Sequence, residues 1–510
     1  MKGSQSGQSH TPRRRHLNKV QSRKTTSIKN DYGYALSPAP GLFPGLAERE
    51  QLENFLTREL ARANQRVAGG SVVPTQDFAA FKQELAGFDF EAPRPLKPLL
   101  SWTIAQMEQG IVHVNHPRYF GLFNPAPTFP AQSADRIVAS FNPQLATSTT
   151  SPAAVEIEAH VIRAVAKRAG LTGTAAGHFT SSGSEANSTA LICALTKLNP
   201  QFGSDGARSF RGAPVFYVSR ECHLAWFKIA HQAGIGRSAV RLIATDGSGR
   251  MSTTALAEAL KNDLAARRVP FMIVATAGTT TAGMVDPLLG CAELARAHQL
   301  WYHVDAAWGG ALIASDRLRH ALEGIEQADS MTIDAHKWFA TTMNCGMFIV
   351  KDPSILSSAF QVSTAFMPSN LAHLDPYVTT VQWSRRFLGL RLFLSLAAAG
   401  WVGYAHHVER SVALADLLKT KLVKRAWKVV NSSPLAVLCF TAPPGCSELR
   451  TIARGVLASG RAWIAPTVFE GNDVLRACVT HGETGREDVD ELIRTLLACA
   501  RRTGNERLLA

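Results

Sequence analysis

Several absences narrow the reading first. No apolar run approaches the roughly 20 residues that a membrane-spanning helix requires; the best candidate, Leu392 to Ala399, is short and sits inside a helical pattern, so no membrane association is expected. Cysteine is sparse. Its eight copies (Cys193, Cys222, Cys291, Cys345, Cys439, Cys446, Cys478 and Cys499) form no Cys-x-x-Cys pair and lie mostly in apolar surroundings. That pattern disfavours a zinc site or a disulfide framework and suggests reduced thiols in a cytoplasmic protein. No internal repeat is visible. Acidic residues are missing altogether from the first 30 positions, which hold eight Lys and Arg, so a formal charge of +14 leaves only +6 for the remainder. The basic bias therefore belongs to a tail, and a nucleic-acid-binding face on the folded body is not expected. The tail has no apolar face and is expected to be disordered over residues 1–40. No apolar stretch follows its arginines, which argues against a secretory signal, whereas an Arg-rich, acid-poor transit peptide is compatible with it.

What is present is ample core material. At 510 residues and 46% hydrophobic composition, two or three domains are expected. A Pro/Gly linker at residues 36–46 precedes a helical pattern from Glu48 to Ala68, which opens an N-terminal helical segment over 41–115. Ser151 and Pro152 start a helix that runs to Ala169. Beyond it, Val215–Val218, Phe271–Thr276, Leu300–Asp305, Ser330–Ile333 and Gly346–Val350 read as strands. Helical stretches at 185–198, 253–268 and 288–298 alternate with them, the signature of parallel βαβ units in a large α/β domain over 116–386. A long helix from about Leu388 to Lys419 then leads into a small α+β domain over 387–510, with strands at Leu435–Phe440 and Val474–Val479 and a last helix near Arg486.

Two of the strands carry chemistry at their ends. Ser330–Ile333 delivers Asp334-Ala335-His336-Lys337-Trp338, and a lysine whose amine is desolvated is a Schiff-base former. Leu300–Val304 ends in Asp305-Ala306-Ala307, at the carboxyl edge of the sheet where ligands of α/β proteins bind. A lysine for the aldehyde and a carboxylate for the ring nitrogen are what pyridoxal 5'-phosphate requires. Upstream, Ser181-Ser182-Gly183-Ser184 turns into a helix, and a helix start with a glycine suits a phosphate group.

These motifs, in this order across roughly residues 90 to 500, resemble the pyridoxal-phosphate-dependent group II amino acid decarboxylases, which include the aromatic-L-amino-acid and glutamate decarboxylases. The resemblance implies fold type I, a mainly parallel central sheet, a homodimer in which the N-terminal segment packs on the partner, and decarboxylation of an L-amino acid, aromatic or acidic. It also implies roles. Lys337 would carry the cofactor; Asp305 would partner the ring nitrogen; His223 would stack on the ring with Ala307 under the other face; Gly183, Ser184 and His336 would bind phosphate, and Thr276 would lie close by. Phe123, Asn124 and Pro125 would line the substrate side. Tyr377, in the polar stretch from Ser369 to Ser384, would return a proton to carbon, with Lys337 or His223 acting through water as the alternatives. Asp334 departs from the asparagine of the aromatic-amino-acid enzymes, which leans away from assuming an aromatic substrate.

Rival readings remain at this stage. An aminotransferase needs an arginine for the substrate carboxylate, and Arg476 is the candidate, although a structural arginine describes it as well. A carbon–carbon lyase acting on a phosphorylated amino alcohol is a second rival. A non-enzymatic one, an inactive fold whose tail binds a polyanion, is opposed by the joint presence of Lys337, Asp305 and His223.

Overall fold

The structure is a computed structural model that describes residue 39, residues 41–362 and residues 375–501. The tail expected over 1–40 lies outside these residues apart from Ala39, as does the first part of the Ser369–Ser384 stretch. Two compact units are present, one within Met1–Ala61 and Phe78–Ala105, the other within Arg62–Asp77 and Gln106–Ala510. In the first unit Trp102 stacks on Phe81 at 6.2 Å between ring centres, packs on Phe88 at 4.8 Å and donates Nε1–H to Glu84 at 3.0 Å. Within this unit the helix Phe78–Ala86 contains no fully buried residue, and Phe78 and Leu85 are exposed.

The second unit is built on a seven-stranded sheet. Its strands are β1 (Ala176–Thr180), β2 (Pro214–Ser219), β3 (Val240–Ile243), β4 (Val269–Thr276), β5 (Trp301–Asp305), β6 (Ser330–Asp334) and β7 (Gly346–Val350), in the order β1-β7-β6-β5-β4-β2-β3. The run β6-β5-β4-β2-β3 is parallel, and β7 is antiparallel to both its neighbours. Apolar, β-branched sequences such as Val-Pro-Phe-Met-Ile-Val-Ala-Thr in β4 are buried nearly throughout, as expected for strands covered by helices on both faces. β7 reverses because only residues 335–345 join it to β6, fewer than a parallel crossover needs. The loop of that reversal holds Lys337. β3 was not anticipated: it is a four-residue edge strand, too short to stand out as a pattern.

Two expectations about helices need correction. Ser151 precedes the helix Pro152–Arg168 but makes no side-chain cap; its hydroxyl donates instead to Gln144 O at 2.7 Å. The long helix Gly389–Val423 breaks at Gly400, whose φ of 63° and ψ of 177° only glycine adopts cheaply.

A second sheet, in the order β10-β11-β9-β8, joins β8 (Lys428–Val429), β9 (Val437–Thr441), β10 (Ala465–Phe469) and β11 (Asn472–Cys478). One continuous apolar core includes Val304 and Ile333 of the large sheet and Leu438, Phe440 and Leu475 of the small one, so the sheets differ but the core is shared. At the junction the buried Arg385–Glu158 pair, 2.7 Å apart, ties the chain entering the long helix to helix Pro152–Arg168. The other oxygen of Glu158 accepts from the amides of Leu388 and Gly389. Among the described residues, no helix is long and apolar enough to cross a membrane.

Candidate active site

The parallel strands end together. Thr276, Asp305 and Asp334 are the last residues of β4, β5 and β6, and the register places Thr276 beside Asp305 and Asp305 beside Thr332. Beyond these ends a cleft of about 190 Å³ is lined by Phe123, Ser182, Gly183, Ser184, Asn187, His223, Thr276, Gly278, Thr280, Asp305, Ala307, Trp308, Asp334, His336 and Lys337. Lysine and aspartate therefore face one cavity. A roomier groove of about 550 Å³, lined among others by Lys197, Trp301, Asp329 and Lys351, contains none of the expected site residues.

Lys337 Nζ lies 3.0 Å from Asp334 Oδ2 and 5.2 Å from the centre of the Phe123 ring. Phe123 stacks on Trp308 at 4.7 Å and 21° between planes. Asp305 is 4% exposed and accepts from Asn187 Nδ2 at 2.8 Å and from the Ala307 amide at 3.2 Å. Burial lowers the pKa of His336, its first cause, while the neighbouring Asp334 pushes the other way; its Nδ1 accepts from the Cys345 amide at 3.2 Å. His223 is exposed at the mouth of the cleft, its Nδ1 accepting from the Ala225 amide. Under Thr276 lies Asp286, which accepts from the amides of Thr276 and Met251 at 2.7 Å each and is pushed up to about 7 by burial.

Pyridoxal phosphate fits these residues on three observations. The hydroxyl of Thr276 is buried without a hydrogen-bond partner, a costly condition for a polar atom unless a bound group or water completes it. Gly183 begins the 16-residue helix Gly183–Leu198, where the first amides of a helix have no internal acceptor. A Cβ at Gly183 would stand 2.8 Å from Asp334 Oδ2, so only glycine keeps the helix start this close to the β6 end.

Ten of the residues picked from sequence converge on the cleft: Phe123, Gly183, Ser184, His223, Thr276, Asp305, Ala307, His336 and Lys337, with the doubtful Asp334 as the tenth. Three do not. Asn124 turns its amide to Met343 Sδ at 3.6 Å, and Pro125 is buried; neither lines the cavity. Tyr377 is 6% exposed in the short helix Pro376–Thr379, with its ring 5.1 Å from that of Trp383 and its amide bound to Ala146 O. The structure does not bring it to the cleft of its own chain. Arg476 likewise stays outside, donating to Thr280 O and Gly121 O at 2.8 Å each, the behaviour of a structural arginine.

Asn187, Thr280 and Trp308 also line the cleft. Asn187 lies four residues after Gly183, one helical turn along the same face, which is the signal that could have found it.

Comparison with known proteins agrees with this geometry. The family model described as the pyridoxal-dependent decarboxylase conserved domain matches residues 90–442. Tryptophan decarboxylase 2 of Oryza sativa subsp. japonica is 29% identical over 401 residues, covering 75% of this chain and 80% of the relative. The aromatic-L-amino-acid decarboxylase of Bacillus atrophaeus is 27% identical over 421 residues, covering 79% and 85%. The L-2,4-diaminobutyrate decarboxylase of Rhizobium meliloti (strain 1021) is 33% identical over 315 residues, covering 60% and 62%. Among solved structures, mouse CSAD in apo form superposes with a TM-score of 0.84 at 25% identity over 90% of this chain and 100% of that one. The Oryza sativa TDC structure with PLP and tryptamine has a TM-score of 0.85 at 24% identity, over 91% and 100%. With the lysine, the aspartate and the helix start meeting in one cleft, the chain belongs to the pyridoxal-dependent decarboxylase family and is a fold type I, pyridoxal-phosphate-dependent amino acid decarboxylase.

Proposed function

We propose that this carboxy-lyase takes an L-amino acid with an aromatic side chain, and that Lys337, Asp305 and His223 are its principal working groups. The observation that carries the substrate class is the Phe123–Trp308 stack on the wall of the cleft, an apolar face suited to a flat ring. Among the described cleft residues no arginine is present to meet an acidic side chain. The second reading, an acidic substrate, rests on Arg476, whose Nε is buried without a partner and whose guanidinium lies 5.8 Å from the Phe123 ring, just behind that wall.

When bound, pyridoxal phosphate supplies the carbonyl that captures the substrate amine and the ring that accepts the electrons of the breaking bond to the carboxylate. The chain's own residues do the rest. Lys337 offers the anchoring amine, and Asp334 Oδ2 lies 3.0 Å from it. Asp305 presents an acceptor for the proton on the ring nitrogen. Gly183, Ser184 and His336 bind the phosphate at the helix start, while His223 and Ala307 confine the ring between them. Lys337 and His223, both in the cleft, hold the proton that returns to carbon; Tyr377, buried beside Trp383, does not line the cleft of its own chain.

We also propose a cytoplasmic homodimer. Support comes from eight free thiols and from Phe129, Ile137 and Phe141, exposed by 78%, 44% and 82% along one stripe of the helix Phe129–Phe141. Light scattering on the purified protein tests the oligomer. For the reaction, the protein is loaded with cofactor and offered L-tryptophan, L-tyrosine, L-phenylalanine, L-glutamate, L-aspartate and L-2,4-diaminobutyrate, with CO₂ as the readout. Release from the aromatic substrates is expected, together with an absorption band at roughly 420 nm that Lys337→Ala abolishes. Release from the acidic substrates alone would transfer the assignment to the Arg476 reading.

A further inference from the structure

Behind the cleft a line of buried side chains leads from Asp305 into the sheet, and each member dictates the proton position of the next. The Asp305 carboxylate only accepts, so the group 2.8 Å from its Oδ2 must be the amide nitrogen of Asn187. The Asn187 oxygen then faces His303 Nε2 at 3.1 Å, and a ring nitrogen facing an amide oxygen carries the hydrogen. His303 Nδ1 is therefore bare and accepts from Ser330 Oγ at 2.8 Å, and that oxygen accepts Nε1–H of Trp301 at 2.9 Å. His303 is fully buried, with Trp226 set edge-on against it at 5.8 Å. Burial pushes the imidazole down to about 4, so it is neutral at physiological pH, and the tautomer with its hydrogen on Nε2 suits both Asn187 and Ser330, with Thr332 Oγ1 a further acceptor 3.4 Å from Nε2.

The secondary structure explains the convergence. His303 and Asp305 are two residues apart and share a face of β5, while Ser330 is the register partner of His303 across β6. The helix Gly183–Leu198, whose first turn forms the anion cradle, brings Asn187 down onto both.

We infer that Asn187 and His303 are positioning residues for the decarboxylation, loading one oxygen of Asp305 so that the proton it shares with the cofactor ring nitrogen stays on the nitrogen. The inference rests on the reading of Asp305 as the ring-nitrogen partner. A donor aimed at a carboxylate stabilises the ionised form and makes it a weaker base. With Asn187 on Oδ2 and the Ala307 amide on Oδ1, Asp305 accepts the ring proton as a hydrogen bond without removing it. His303 keeps the Asn187 amide from turning over, which would set its oxygen against the carboxylate. Polarisation along the line strengthens each bond in the same direction.

The test uses full-length holoenzyme loaded with cofactor labelled with ¹⁵N in the ring. The ring-nitrogen resonance, kcat and KM are measured for the wild type, Asn187→Leu, His303→Leu, His303→Gln and Ser330→Ala. In His303→Leu and Asn187→Leu the resonance moves toward that of an unprotonated ring, and kcat falls about 10- to 100-fold, the range of one hydrogen bond to a charged group, with KM changed less than about threefold. His303→Gln, whose amide can accept from Ser330 and donate to Asn187, recovers most of both signals. Ser330→Ala removes only a hydroxyl, so it folds and shifts the resonance by a smaller amount in the same direction even where the leucine variants do not fold. A ring that stays protonated in all of these variants, with kcat within about twofold of the wild type, overturns the inference. Asp305→Asn separates the two levels. A ring left protonated in that variant refutes the Asp305 reading itself, and a ring neutralised there but not in Asn187→Leu refutes the positioning role alone.

Discussion

Lys337, on the loop that leaves β6, and Asp334, the last residue of that strand, form an ion pair of 3.0 Å in which the carboxylate side chain is 4% exposed and the lysine 16%. The acid also touches the start of the helix Gly183–Leu198, the position where a phosphate is to bind. It thus holds the cofactor-binding amine and opposes the cofactor's anion at once. Asp334→Asn keeps the shape and removes the charge. Cofactor affinity of the apo enzyme is expected to rise about tenfold, the equivalent of roughly 1.4 kcal/mol between partly screened like charges. Titration of apo protein with pyridoxal phosphate measures it, and an unchanged or weaker affinity would place the carboxylate away from the anion.

Gly346 faces Asp334 across the β6–β7 pairing, and a Cβ there would meet Thr180 Oγ1 at 2.6 Å, the Ser182 carbonyl carbon at 2.7 Å and Asp334 Oδ1 at 2.9 Å. Backbone on one side and a buried, paired acid on the other leave nothing free to yield. Gly346→Ala should cost about 1–3 kcal/mol of stability through overpacking and lose cofactor on dilution faster than the wild type. Denaturant unfolding and a dialysis time course check the two effects.

The Arg385–Glu158 pair, both partners about 95% buried, anchors the start of the long helix. Glu158→Ala strands a buried guanidinium and frees the amides of Leu388 and Gly389, so a loss of about 3–5 kcal/mol is expected. Replacing both residues by apolar ones of similar size should cost less than the single change. Urea midpoints of the single and double variants decide the order.

The burial of His303 has a pH signature. Its value in the fold, about 4, lies below the ordinary 6.5, so between those pH values the unfolded chain binds a proton that the native state does not. The stability gained from neutral His303 is complete above pH 6.5 and is lost as pH falls toward 4. Asp286, raised from 3.8 to about 7 by burial, acts with the opposite sign over an overlapping window and favours the fold as pH falls. Unfolding of His303→Gln near pH 5 should therefore take up about one proton fewer than the wild type, measured from the slope of unfolding free energy against pH.

Tyr377 packs on Trp383 and is absent from the cleft lining. Tyr377→Phe is expected to leave kcat within about threefold, whereas His223→Phe should lower it by at least tenfold, in line with roughly 10²–10⁴-fold for a general acid or base. Steady-state amine formation tests both, and a collapse in Tyr377→Phe would restore the role first read from sequence.

Much of this protein is legible in its sequence because the signals are local. Strand periods and their polar last residues mark β4, β5 and β6, and two of the residues there, Asp305 and Lys337 just beyond Asp334, point to the cofactor. The failures are equally physical. The reversal of β7 follows from a loop too short for a crossover, and the break at Gly400 from a single backbone angle inside an otherwise helical pattern. Asn124 turns away from the cavity because a side chain's direction in an irregular stretch is set by distant packing partners such as Met343.

Composition and periodicity were enough to determine an α/β chain, and its motifs an aspartate at one strand end and a lysine just beyond another, since each of those features is written within a dozen residues. Only the tertiary structure decided which groups stand behind them. The line from Asp305 through Asn187 and His303 to Ser330 draws on two strands and on a helix more than a hundred residues before them, and the direction of each of its hydrogen bonds exists only once those elements are packed.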